Sequence, residues 1–533
     1  MKIKILGIQL ILVLNIFSTA LAQPWQPDLG DGKYKNPIIY ADYSDPDVIR
    51  VGDDFYMTAS SFNCFPALPI LHSKDLVNWK IINHAIDTFP DKDFDIPQHG
   101  NGIWAPSLRY HQGEFWIFYG DPDRGIFMVK TKDPYSKWEP PVLVKKAYGN
   151  IDPCPLWDDD GNVYMVHAFA HSRAGVKSIL QVNQLTADGT KIVDKGTIVF
   201  DGHKDHPTIE GPKFYKINGY YYIFAPGGGV SMGWQTVLRS KHVYGPYEDK
   251  IVLAQGNTNI NGPHQGGYIE LENGEGWFIH FQDKGAYGRI LHLQPVVWKD
   301  DWPVMGNDED GDGTGEPVLQ FNKPNVGKTY PIQVPQTSDD FSSAELGLQW
   351  QWHANYKKFW YSLTDKKGVI RLYSQKLSND TNLWSVPNLM LQKFPAPEFT
   401  VTTKIDFQSK DSNEKSGLII MGHDYAFLAI TTEENSNLLL EQVICLKAET
   451  GSNEEIVEQV SIEQPSLYLR VKVDEGAVCI FSYSSDGRNF KQIGRPFQAQ
   501  PGKWIGAKVG LFASSSASSQ KGGYADFDFF RFE

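Results

Sequence analysis

Cysteine is scarce in this chain: four in 533 residues, which excludes a small disulfide-stapled scaffold. Basic charge is also short. Lys and Arg number 50 against 63 Asp and Glu, a net charge of −13, so no basic excess exists to neutralise nucleic-acid phosphates. Beyond the N-terminus no stretch reaches the ~18 consecutive apolar residues of a membrane-spanning helix. Charged residues make up only 21 % of the chain and aromatics 13 %, which excludes a disordered composition. What is present is enough length for two or more domains, and an aromatic surplus that either packs cores or stacks on sugars.

The first 22 residues read as a secretory signal. Lys2 and Lys4 precede an apolar run from Ile5 to Phe17, and Ala20-Leu21-Ala22 supplies the small residues of a cleavage site. The run, about 13 residues, is too short to span a bilayer as a helix. No Cys follows, which argues against a lipid anchor there. The expected destination is periplasmic or extracellular. That destination permits disulfides, with Cys64 and Cys154 in one half and Cys445 and Cys479 in the other.

One pattern recurs five times in the first 330 residues. A polar group opens an apolar strand, a turn follows, and an aromatic-rich strand returns. The copies start at Asp45, Ala105, Asp152, Glu210 and His264, which are 60, 47, 58 and 54 residues apart. The turns include Gly52-Asp53, Gln112-Gly113, Asp160-Gly161, Asn218-Gly219 and Asn273-Gly274. Five hairpin-bearing units at this period, with no helical pattern between them, predict a five-bladed β-propeller. A β-sandwich with coincidental turns is the alternative. In a propeller the innermost strands converge on one channel mouth. Asp45, Asp152, Glu210, His264 and Trp104 beside Ala105 should therefore meet there.

Several carboxyls at one mouth suit glycoside hydrolysis: one acid protonates the leaving oxygen, one carboxylate activates water or attacks, and a third raises the acid's pKa. Each alone is readily a turn residue. Together with Asn36-Pro37-Ile38, Asp45-Pro46-Asp47-Val48-Ile49-Arg50, Leu68 to Trp79, Trp104-Ala105-Pro106, Glu210-Gly211-Pro212 and Gly288-Arg289, they make residues 34–330 resemble glycoside hydrolase family 43. The resemblance implies a five-bladed propeller and inversion of configuration. It implies Asp45 as general base, Asp152 as pKa modulator and Glu210 as general acid. It makes Trp104 and Phe62 walls of the terminal-sugar subsite, and Arg289 and His264 further sugar contacts. It implies no required cofactor; a structural calcium near His264, held through nitrogen or water as in many relatives, is the one ion it raises. Asp47 stands where the family has Ser.

The composition shifts after residue 299, and residues 336–533 show short alternating strands without the fivefold repeat. They read as a β-sandwich, ending in a docked strand from Tyr524 to Phe532. This part resembles the C-terminal domain of the β-xylosidase and α-L-arabinofuranosidase branch, where a loop of it can close the pocket. The acidic run Asp308 to Gly313 has the first half of a calcium loop, but the twelfth position is Leu319, so it is no EF-hand. The expectation is an all-β, secreted, exo-acting inverting hydrolase that releases α-L-arabinofuranosyl residues from arabinoxylan, arabinan or xyloglucan side chains. β-D-xylosidase action is the near alternative, and a non-catalytic carbohydrate-binding propeller the distant one.

Overall fold

The computed structural model describes residues 23–377, 382–412, 414–433, 437–515 and 522–533. The expected signal at residues 1–22 lies outside them. Five antiparallel four-stranded sheets follow in chain order. The first blade holds Asp47–Val51, Asp54–Thr58, Ala67–Ser73 and Trp79–Ile86. The second runs from Trp104–His111 to Val142–Lys146, and the third from Asn150–Trp157 to Thr197–Asp201. The fourth runs from Lys213–Ile217 to Glu248–Leu253, and the fifth from His264–Glu270 to Trp302–Met305.

Turn chemistry sets the hairpins. Gln112-Gly113 and Asn218-Gly219 link their strands as two-residue turns with φ of 48°, 81°, 50° and 75°, the left-handed pair that matches strand twist. Blades stack face to face, so their middle strands are apolar on both sides; Phe115 to Asp121 is buried throughout. The ring closes where Leu71, Trp79, Ile279 and Leu293 of the first and fifth blades share one apolar cluster. The chain entering the first blade seals that seam: Ile39 bridges Leu291, and Lys33–Lys35 pairs with Gln320–Asn322.

The C-terminal part is a sandwich of an eight-stranded and a seven-stranded sheet. Tyr524–Phe532 lies inside the larger one, between Ile370–Tyr373 and Phe399–Gln408, as its alternating pattern predicts. Both domains share one core at their junction. Tyr40, Tyr287 and Ile290 of the propeller pack with Trp350, Trp352 and Phe394 of the sandwich. Backbone bonds cross it too, with Phe65 and Trp352 exchanging N–H···O contacts of 2.9 and 2.7 Å.

All four cysteines are free, buried thiols, so neither permitted pairing occurs. Two of them have charged neighbours instead: Cys154 Sγ accepts from Arg109 at 2.7 Å, and Cys64 Sγ from Lys508 at 3.1 Å. The acidic run caps its own backbone, with Asp308, Asp310 and Asp312 accepting from the N–H groups of Gly313, Asp312 and Thr314.

Candidate active site

Every innermost strand reaches the channel mouth through a left-handed residue. These are Asp45 (φ 53°), Ala105 (26°), Asp152 (56°), Gly211 (59°) and Gln265 (34°). In three blades the ladder slips at this point, between Trp104 and Ser107, Ile151 and Cys154, and His264 and Gly266. Such bulges turn side chains out of the pleat and re-aim them. The sequence repeat is thus a repeat of backbone kinks, and the kinks deliver the polar side chains to one place.

Asp45 is 4 % exposed. Its carboxylate accepts from the Ser60 hydroxyl at 2.5 Å and from the Arg289 guanidinium at 3.1 Å. Ser60 is itself fixed, because its oxygen accepts the Ala105 N–H at 2.7 Å. Asp152 is buried, and its Oδ2 accepts the Gly211 N–H at 2.8 Å, which ties it to the residue after Glu210. The Glu210 side chain is 30 % exposed, and its Oε1 lies 3.7 Å from His264 Nε2. His264 is fully buried, and neither of its ring nitrogens has a hydrogen-bond partner.

The electrostatics separate these groups. Burial, then the charges of Asp152 and Asp45, push the Glu210 carboxyl up to about 8, against the pull of Arg289 and Lys177. Burial and the Asp45 charge push Asp152 up to about 7, although Gly211, Lys213 and Arg289 oppose this. Burial and the Arg289 charge push His264 down to about 3, so its imidazole is neutral. The mouth therefore offers one proton-bearing acid that reaches solvent and one carboxylate held by two donors.

Phe62 and Trp104 stand edge to face at 6.1 Å, and Ile505 of the sandwich belongs to the same apolar cluster. Arg289 lies over the Phe281 ring at 4.9 Å. From the sandwich, Trp504 reaches within 6.2 Å of the Trp104 ring and 6.0 Å of the Arg289 guanidinium. All seven sequence-nominated residues thus gather in one neighbourhood, with His264 fully buried behind Glu210, and three more join them: Ser60, Phe281 and Trp504. Asp47 turns away from the mouth. It is fully buried and accepts from Arg109 at 2.7 Å and the Leu108 N–H at 2.8 Å, so its charge is neutralised below the site.

Residues 34–303 match the family model described as "Glycosyl hydrolases family 43". The chain belongs to glycoside hydrolase family 43. Residues 338–533 match the "Beta xylosidase C-terminal Concanavalin A-like domain". Among curated family 43 relatives, a Xylanibacter ruminicola protein named "Putative beta-xylosidase" is 38 % identical over 91 % of this chain and 87 % of its own. A Formosa agariphila "Beta-xylosidase" is 32 % identical over 95 % and 91 %. A non-reducing end α-L-arabinofuranosidase of Bacteroides ovatus is 29 % identical over 95 % of both chains. The crystal structure of a family 43 protein from Bacillus licheniformis superposes with a TM-score of 0.80 at 28 % identity, over 94 % of this chain and 99 % of that one.

The sequence could not nominate the three added residues. Ser60 sits in an unremarkable polar stretch. Trp504 lies 400 residues beyond Trp104; its one signal is an aromatic set between Gly502 and Gly506 in an otherwise strand-poor loop.

Proposed function

We propose that this family 43 hydrolase is an exo-acting, inverting pentosidase that removes terminal β-D-xylosyl residues first and α-L-arabinofuranosyl residues second. Sequence alone ranks the arabinosyl substrate ahead; the names carried by the relatives at 38 % and 32 % identity favour the reverse order. The observation that carries the reading is the grouping of Asp45, Asp152 and Glu210 under a sandwich-borne Trp504. Glu210 holds the proton for the leaving oxygen, and Asp45 activates water from the opposite face. Asp152 keeps Glu210 protonated by charge and sets its backbone through Gly211. Arg289, with its planar fork of donors, orients Asp45 and binds sugar hydroxyls. Phe62 and Trp104 wall the subsite, and fully buried His264 stands behind Glu210, its Nε2 3.7 Å from Glu210 Oε1. Trp504 blocks passage of a longer chain, which favours action at chain ends. The substrate classes are the non-reducing ends of xylan and xylo-oligosaccharides, and arabinosyl side chains of arabinoxylan, arabinan or xyloglucan.

His264 fits a protein-held calcium poorly. It supplies one nitrogen, calcium takes six to eight oxygens, and the one carboxylate–histidine cluster of three among the described residues is Asp308, Asp310 and Asp312. Export through the segment before Gln23 belongs to the same proposal, and N-terminal sequencing of the natural protein checks it.

The deciding experiment is hydrolysis of xylo- and arabinoxylo-oligosaccharides followed by proton NMR. The first anomer released should be opposite to that of the substrate. Glu210→Gln should lower kcat by about 10²–10⁴-fold. Initial retention of configuration would overturn inversion. Binding of oligosaccharides without any turnover would leave a carbohydrate-binding propeller instead.

A further inference from the structure

We propose that Asp42 is a positioning residue that fastens the sandwich-borne Trp504 loop to the strand carrying Arg289, and so sets the closure of the sugar pocket from the propeller side. The proposal rests on the reading of Arg289 and Trp504 as pocket walls. Asp42 lies three residues before Asp45 and is only 3 % exposed. Its Oδ1 accepts the backbone N–H of Arg289 at 2.9 Å and the Ser44 hydroxyl at 3.2 Å. Its Oδ2 accepts the backbone N–H of Gly506 at 3.0 Å. One carboxylate thus joins the lead-in to the first blade, the start of an Arg289–Lys299 strand in the fifth, and the sandwich.

The surrounding backbone is shaped around that carboxylate. A Cβ on Gly288, whose φ is 71°, would stand 2.5 Å from Asp42 Cγ. A Cβ on Gly506 would stand 2.7 Å from the Gly288 nitrogen. Only glycine at both places lets the two domains meet over Asp42. Next to these contacts are the two groups that face the sugar. Arg289 grips Asp45, and Trp504, itself held at a φ of 64°, lies between Arg289 and Trp104. A buried carboxylate receiving two backbone N–H groups makes charge-assisted bonds. It fixes the relative position of the two walls far better than apolar contact does. Asp42 touches no substrate; it acts through the residues it holds.

Asp42→Asn keeps the volume but leaves one acceptor oxygen, so an amide donor meets one of the two backbone N–H groups. Gly506→Ala breaks the same junction from the sandwich side, without altering Asp42. Each should raise KM for xylo-oligosaccharides about tenfold, the loss of one charge-assisted hydrogen bond. In each, kcat should change by less than about threefold. In a Trp504→Ala background, Asp42→Asn should raise KM less than about threefold further, because the wall it positions is already gone. Independent multiplication of the two KM effects would overturn the proposal. So would an unchanged KM with only a lower melting temperature, which marks a plain structural anchor. If Trp504→Ala itself leaves KM unchanged, the reading of Trp504 as a wall fails and the proposal falls with it. If Trp504→Ala raises KM while Asp42→Asn and Gly506→Ala do not, the proposal alone falls. Should Asp42→Asn fail to fold, Gly506→Ala carries the same test.

Discussion

At the scale of residues, the site works by making carboxyls uncomfortable. Asp152 and Glu210 sit where burial and neighbouring negative charge favour the protonated form, while Asp45 is supplied with donors. The rate should therefore fall on the alkaline side as Glu210 loses its proton near pH about 8. Removing the neighbouring charge by Asp152→Asn should shift that limb to lower pH, read from kcat/KM against pH; an unmoved limb would show that Asp152 does not set the acid. The sign for stability is opposite to that of an ion-paired carboxylate. Both folded-state pKa values lie above their ordinary ones of 3.8 and 4.5, so the folded protein keeps protons that the unfolded chain releases. Their contribution is present at low pH and is lost as pH rises from about 4 to about 8. Asp152→Asn should accordingly melt higher than the parent at pH 8, and show less advantage at pH 5. Asp47 shows the limit of reading such residues from sequence. The sequence assigns no role to a charge so close to Asp45 along the chain; only the fold shows Arg109 beside it.

Elements place these residues, and their placement was legible to different degrees. The hairpins could be read because turn chemistry is local: Asn218-Gly219 adopts the conformation its side chains prefer. A Cβ on Gly219 would meet nothing within 4 Å, so Gly219→Ala probes the backbone alone. With φ at 75° it should lower stability by about 1 kcal/mol, seen as a melting temperature lower by about 1–2 °C with activity intact. The five left-handed kinks were visible only as a spacing of polar residues. A positive φ at Asp152 or Ala105 has too weak a propensity signal to be read in advance. The sandwich loop at 501–506 was invisible for another reason. Its contacts with Gly100, Trp104 and Gly288 join distant parts of the sequence, and nothing in one strand's pattern encodes its partner. The short strands of the sandwich, such as Tyr361–Ser362 and Gln375–Lys376, are too brief for any periodicity.

At the scale of the whole molecule, the order of propeller then sandwich followed from the sequence because a fivefold repeat stops and does not resume. The docking of the two did not, because it rests on Tyr40, Tyr287 and Trp352 meeting in one cluster. The site is completed across that docking surface, so neither domain alone has the full pocket. The four thiols carry a consequence of their own. All are buried, and none is joined in a disulfide. Folding then needs no oxidant and no disulfide isomerase, and the finished enzyme carries no bond that a reductant could cut. Millimolar dithiothreitol should leave both the melting temperature and the turnover unchanged; a drop in either would reveal a disulfide. The molecule is indifferent to the redox potential around it, and can be assembled in a reducing compartment and used in an oxidising one without a change in its covalent structure.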